Sequence, residues 1–207
     1  MKAPRAAVVS ARKRPRQARS EHLVAAILEG AIRVLSKHGA RNFTTARVAA
    51  EAGVSVGSLY QYFPNKESIL FRLQTDEWQR TGDMLENILV DSARAPRERL
   101  RDLTLAFIRS ECEEAAIRVA LNDAAPLYRD APETQEHRAG ARRRILMFMR
   151  ELLPAVPARD RTLVADLIMT TLSAVGKTVS EQNRSSAEVE RLAAALAEMF
   201  CGYVASR

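Results

Sequence analysis

Apolar residues recur every three to four positions along most of the chain, and the interruptions fall at residues that stop helices. Leu23, Ala26, Ile27, Ala31, Val34 and Leu35 form one stripe that ends at Gly39, the spacing of an amphipathic helix. Ser20 can cap that helix, with Glu21 favourable near its positive end. A shorter face follows in Val48, Ala49 and Ala52, opened by Thr44 as N-cap and closed by Gly53, because Gly accepts positive φ without a Cβ clash. Ser55 can cap a third helix. In it Leu59 and Phe63 face inward, and Val56, Gly57, Ser58, Tyr60, Gln61 and Tyr62 cover the other faces. Pro64 cannot extend this helix, and Asn65 can cap the next.

From Asn65 a long helix is expected past Trp78 towards Leu89. Ile69, Leu70 and Leu73 would pack on the three helices before it, and Trp78, Leu85 and Ile88 on the rest of the protein. Residues 91–96 read as a loop. Leu100, Leu103, Phe107 and Ile108 predict a helix over 97–120; Pro126 and Pro132 break the chain over 122–132; Ile145, Met149, Leu152 and Leu153 predict another helix over 133–153. The last two helices are the best marked. Val164, Leu167, Ile168, Thr171, Leu172 and Val175 form a wide stripe over 159–181. Ser185-Ser186-Ala187-Glu188 then reads as a capping box before Val189, Leu192, Leu196, Met199, Phe200 and Tyr203. No period-two run is long enough for a strand, so the expected fold class is all-α.

Two short helices around a tight turn, over residues 42–63, are the outline of a helix-turn-helix, whose second helix enters the DNA major groove. Small residues at its start (Ser55, Gly57, Ser58) let the backbone approach phosphate; Tyr60, Gln61, Tyr62 and Lys66 supply hydrogen-bonding ends and a charge. A buried helical hairpin with a polar outside has the same outline. The wording is more specific. Phe43-Thr44-Thr45, Val48-Ala49, Ala52-Gly53-Val54-Ser55, Gly57, Leu59-Tyr60, Tyr62-Phe63 and Lys66-Glu67 resemble, in register and without gaps, the N-terminal domain of the TetR family of bacterial transcriptional regulators. The resemblance is dense over residues 20–73 and only architectural beyond.

That resemblance implies an N-terminal three-helix DNA-binding domain (20–66) and a C-terminal helical ligand-binding and dimerisation domain (67–207), behind a basic arm (1–19). By matched position, Thr44, Thr45, Arg47, Ser55, Val56, Gly57, Ser58, Tyr60, Gln61, Tyr62 and Lys66 form the DNA-binding set. Tyr60, Tyr62 and Lys66 sit where members contact phosphate; Val56 and Gln61 are positions where members differ and so choose bases. The partners implied are a pseudo-palindromic DNA operator, a small-molecule effector, and a second copy joined through the two C-terminal helices as a four-helix bundle. The effector pocket would lie within the C-terminal helices, where Trp78, Phe107, Met147, Phe148, Met149 and Met169 are adaptable apolar candidates; each can equally be ordinary core. A repressor released by a hydrophobic ligand is the expected function. An activator, a regulator that needs its ligand to bind DNA, and a helical small-molecule-binding module remain as alternatives.

Charge adds one feature. The net charge is +7, and residues 1–19 hold Lys2, Arg5, Arg12, Lys13, Arg14, Arg16 and Arg19 with no acid. The remaining 25 basic residues match the 25 acids, so the whole excess lies in that arm. Its scarce apolar surface predicts disorder, and its charge suits phosphates, the minor groove or solubility alone. No apolar run approaches a membrane span, and Ala6 to Val9 is too short for a signal-peptide core; the expected location is the bacterial cytoplasm, at the nucleoid. Cys112 and Cys201 show no C-x-x-C spacing, which argues against zinc and a structural disulfide. Gly176-Lys177-Thr178 lacks the earlier glycine of a phosphate loop, because Thr171 stands there. No Ser/His/Asp set, metal cluster or nucleotide turn is evident, so no enzyme, cofactor or metal is expected.

Overall fold

A computed structural model describes residues 18–113, 115–127, 131–182 and 184–207. Among these residues there are helices and no strands. The α-helices are α1 (Ala18–His38), α2 (Thr45–Glu51), α3 (Val56–Tyr62), α4 (Lys66–Val90), α5 (Pro96–Glu113), α6 (Ala115–Ala124), α7 (Pro132–Leu152), α8 (Ala158–Ser180) and α9 (Ser186–Ala205), with 3₁₀ turns at Ala40–Asn42 and Ala125–Leu127. The expected basic arm lies outside the described residues except Ala18 and Arg19, which are helical. Ser20 is therefore inside α1 rather than its cap. The single helix expected over 97–120 is two helices, α5 and α6. The break expected over 122–132 begins late, because α6 runs on to Ala124.

The chain packs as two units. The first holds the described residues up to Trp78 together with Ala116–Gln135; the second holds Gln79–Ala115 and Glu136–Arg207. These units are drawn differently from the expected domains 20–66 and 67–207. The reason is apolar surface. Ala120, Leu121 and Ala124 of α6 are buried with Ile27, Ala31 and Leu35 of α1, Val48 of α2, Leu59 of α3 and Ile69, Leu70 and Leu73 of α4. Trp78 packs on this same cluster and meets Phe71 edge-on at 6.4 Å.

In the second unit α5 lies against both α8 and α9. Leu100, Leu103 and Ile108 of α5 share a core with Val164, Ile168 and Leu172 of α8 and Leu196 and Phe200 of α9. Gly176 allows the close α5–α8 crossing: a Cβ there would sit 2.9 Å from Phe107 Cε1 and 2.9 Å from Glu111 Cγ. Gly176 thus has a packing role, in the middle of a helix. Arg99 is buried in this core. It donates to the Leu89 carbonyl at 2.5 Å, pairs with Glu151, and lies 5.3 Å from the Phe148 ring centre. On α7, Arg142 anchors Asp166 of α8 through two bonds of 3.2 and 3.1 Å. The capping box forms as the sequence predicts, with Ser185 and Glu188 satisfying each other's backbone N–H.

Candidate nucleic-acid interface

The short helices of the first unit are opened by side-chain caps and closed by backbone bonds. Thr44 Oγ1 accepts from Arg47 N at 3.3 Å and starts α2. The chain then turns through Ala52, Gly53 and Val54. Gly53 N donates to Ala50 O at 3.2 Å and Val54 N to Ala49 O at 3.0 Å, the paired bonds of a Schellman stop. Gly53 has φ 67°, which is why the turn needs glycine. Ser55 Oγ accepts from Ser58 N at 3.0 Å and opens α3. Asn65 Oδ1 accepts from Ser68 N at 2.8 Å and opens α4.

The end of α2 is held by α1. Arg33 Nε donates to Glu51 Oε1 at 2.8 Å and its Nη2 to the Glu51 carbonyl at 3.0 Å, and Lys37 Nζ is 3.4 Å from the same carboxylate. Two cations thus meet the negative end of α2. The Arg33 hydrogen bond, opposed by desolvation and aided by Lys37, holds the Glu51 carboxyl below its ordinary value of 4.5. A depressed folded-state value means the pair contributes stability above the unfolded pKa and loses it as pH falls through the folded one. An NMR titration should place the Glu51 midpoint below 4.5 and Arg33→Met should move it back up; a midpoint indifferent to Arg33 would refute this cause.

With Leu59 and Phe63 sealed in the core, α3 turns Val56, Gly57, Tyr60 and Gln61 to solvent. Val56 is 41% and Tyr60 40% exposed. Tyr60 OH lies 3.1 Å from Thr45 Oγ1, so one side chain from each helix meets on the same outer face. Arg47 Nη1 donates to the Asn42 carbonyl at 2.8 Å. Ser58 in the first turn of α3 and Lys66 at the start of α4 are part-exposed. Tyr62 departs from the expectation that it covers an outer face. It is only 8% exposed and belongs to the core cluster, because position 62 falls beside Leu59 on the inward side of so short a helix.

The expected effector lining is divided between the two units. Trp78 belongs to the first unit. In the second, Phe148 and Met149 are buried core and Met147 is 67% exposed, so Met147 lines no interior space. Phe107 meets the α5–α8 crossing at Gly176, and Met169 is half-buried. A cleft of about 400 Å³ lies instead beside the end of α4 and along α5, over Ile88 and Leu105 and between Asp91, Arg94, Asp102 and Arg109. Its cations are already engaged, Arg94 by Asp102 and Arg109 by Glu190. Burial pushes the Cys112 and Cys201 thiols above their ordinary value, which disfavours thiolate chemistry.

Residues 27–73 match the family described as "Bacterial regulatory proteins, tetR family", and residues 95–206 match "Tetracyclin repressor-like, C-terminal domain". The chain belongs to the TetR family. Among curated relatives of this TetR-family chain, the transcriptional repressor KstR of Rhodococcus jostii is 27% identical over 142 residues, 69% of this chain and 65% of that one. The fatty acid metabolism regulator protein of Bacillus subtilis is 30% identical over 69 residues, 33% of this chain and 36% of that one. The matches thus span less than two thirds of the relatives' own length. Among solved structures, the fatty acid degradation regulator FadR of Bacillus halodurans superposes with a TM-score of 0.69 at 18% identity, covering 92% of this chain and 97% of that one. A TetR-family regulator of Mesorhizobium loti gives 0.68 at 18% identity, covering 90% and 98%. At such identity these structures speak to the fold. TetR-family proteins are DNA-binding transcriptional regulators rather than enzymes, and they act as dimers on DNA operators under small-molecule control.

Arg33, Glu51 and Gly30 of the first unit carry no signal in the helical pattern, since each stands at an ordinary polar or small position. Glu77 does carry one. It follows Leu70, Leu73 and Gln74 at helical spacing, a charge on an apolar stripe.

Proposed function

We propose that this TetR-family chain is a homodimeric, sequence-specific repressor that reads a pseudo-palindromic operator with α3 and is released by a small hydrophobic effector, acting in the bacterial cytoplasm at the nucleoid. The observation that carries the DNA reading is the outward face of α3, where Val56, Gly57, Tyr60 and Gln61 are exposed on a helix whose Leu59 and Phe63 are locked in the core. Gln61 suits bidentate pairing with adenine, and Val56 suits a thymine methyl. Thr44, Thr45, Arg47, Ser55, Ser58 and Lys66 contribute backbone contacts around them, which set register and not sequence. Release follows linkage: an effector that favours the DNA-incompetent state weakens DNA binding by the factor by which DNA weakens the effector.

The dimer reading rests on α8 and α9. Leu163, Leu167, Thr170 and Ala174 of α8 are exposed at helical spacing, as are Ala195, Met199 and Gly202 of α9. An 18-residue window within α8 has mean hydropathy 1.3, apolar enough by length and composition to cross a membrane, yet only 33% of it is buried. A second copy supplies the missing cover.

Selection of binding sequences from random duplex DNA at near-physiological salt tests the reading. A two-fold symmetric consensus is expected; weak, salt-sensitive binding without a consensus would favour a helical ligand-binding module. With the operator in hand, Tyr60→Phe and Tyr60→Ala should weaken binding to operator and random DNA alike, by about 1–3 kcal/mol if the hydroxyl bonds a phosphate. Unchanged affinity for both DNAs would remove Tyr60 from the contact surface.

A further inference from the structure

After the first turn of α9, every exposed residue of the helix lies on one face. These are Arg191, Ala195, Glu198, Met199, Gly202 and Ala205, a spacing that a 3.6-residue repeat gathers into a single stripe. The opposite side, with Val189, Leu196 and Phe200, is buried. The stripe is small or apolar except for two opposite charges. Arg191 and Glu198 stand two turns apart, about 10 Å along the axis, too far to pair with each other. Neither makes a hydrogen bond or ion pair among the described residues. The other charges nearby are engaged: Glu190 by Arg109, Asp166 of α8 by Arg142, and Lys177 by Glu181. Glu188 is held by Ser185 in the cap, and Arg191 adds the smallest of the attractions on that carboxylate.

Gly202 is a second, independent sign of a close neighbour. Glycine within a helix destabilises it relative to alanine, and a Cβ at Gly202 would meet nothing within 4 Å. Nothing inside the subunit therefore calls for glycine there, whereas a helix approaching closely from outside does. The charges say which helix. A two-fold axis repeats each contact, so that residue i meets j and j meets i. With the axis beside Ala195, midway between positions 191 and 198, an antiparallel copy of α9 sets Arg191 against Glu198 of the partner subunit. The same operation sets Glu198 against the partner subunit's Arg191. The stripe is thus complementary to itself in one orientation; a parallel copy would set like charges face to face. It also continues the exposed apolar face of α8, which α9 contacts.

We propose that α9 packs antiparallel on α9 of a second copy, with Arg191 and Glu198 forming two reciprocal ion pairs that select this chain's own copy over other partners. The proposal rests on the dimer reading made above and deepens it. Affinity comes from the apolar cover of Leu163, Leu167 and Met199, because exposed ion pairs add little. The two charges supply specificity, since like charges placed opposite each other reject a wrong partner.

The test compares the wild-type full-length chain, Arg191→Glu, Glu198→Arg and the swapped chain Arg191→Glu/Glu198→Arg. Sedimentation reads the dimer constant, native mass spectrometry reads which chains pair, and circular dichroism reads folding. In each single variant two like-charge contacts replace the two ion pairs. Each alone should therefore dimerise at least about tenfold more weakly than wild type at low salt. Mixed, the two should form a heterodimer of near wild-type strength, because every contact then joins opposite charges. The swapped chain should pair with itself and, after dissociation and remixing, avoid the wild-type chain. Higher salt should weaken these preferences. Should a single variant fail to fold, the swapped chain against wild type gives the same comparison. Dimeric chains that mix in statistical proportion would overturn the proposal and leave the dimer reading standing. A wild-type chain that stays monomeric would instead strike the dimer reading, and the charge assignment with it.

Discussion

Leu167→Asp should convert the protein to a folded monomer that no longer holds its operator. Leu167 and Leu163 lie one turn apart on the exposed face of α8, at 47% and 62% exposure. Their inward neighbours Val164, Ile168 and Leu172 are buried, so an aspartate at 167 leaves the core of the second unit intact. In a two-fold interface the substitution occurs twice. Each carboxylate must lose water or push the helices apart. At roughly 2 kcal/mol per site the dimer constant weakens by about a thousandfold. A monomer then meets only one half-site, and operator affinity falls with the dimer. Sedimentation at low micromolar concentration, with circular dichroism as the folding control, reads the first effect; a titration of the selected operator reads the second. A variant still dimeric and still bound would place the interface off α8. Leu163→Asp should behave the same way, because it stands on the same face one turn earlier.

Gly30→Ala should destabilise the first unit, against the usual sign. Alanine in place of a mid-helix glycine ordinarily stabilises by up to about 1 kcal/mol. Here the added Cβ would lie 2.9 Å from the backbone nitrogen of Ala52 and 3.0 Å from its Cβ. Ala52 cannot yield easily. Its N–H is bonded to the Val48 carbonyl at 2.9 Å, it begins the turn that Gly53 completes, and the adjacent Glu51 is held by Arg33. The clash is with backbone, so α1 and α2 must separate. A net loss of about 1–3 kcal/mol is expected, read as a lower Tm, with operator affinity falling because the turn and the start of α3 shift together. A Tm at or above wild type would mean that α1 and α2 are further apart than the structure has them.

How much of this was legible beforehand differs along the chain. The caps at Thr44, Ser55, Asn65 and Ser185, the stop at Gly53, and the inward Leu59 and Phe63 are local features. Each depends on side chains within a turn of one another, so the pattern of residues carries them. The family likewise is written in residues 43–67, because a turn and two short helices that must meet both a core and a phosphate backbone leave few choices at each position.

Other features depend on which surfaces meet, and a one-dimensional pattern does not hold that. An apolar stripe says that a helix has a partner without saying which one. The stripe of α6 therefore read as part of a C-terminal domain, but it packs with α1 and the first part of α4. Trp78 goes with it, and the expected lining residues disperse: Phe148 and Met149 enter the core, while Met147 faces solvent. Tyr62 turns inward because it follows Leu59 by three residues and so shares its face of α3. Gly30 and Gly176 look alike in sequence as helical glycines. Only the crossing helices show that each marks a contact too close for a Cβ. Local spacing by itself determined the helical class, the caps at Thr44, Ser55, Asn65 and Ser185, the stop at Gly53 and the family, but neither the start of α1 nor the division between α5 and α6. The tertiary structure decided which helices share a core and where buried charge lies, because those depend on distances between residues far apart in the chain.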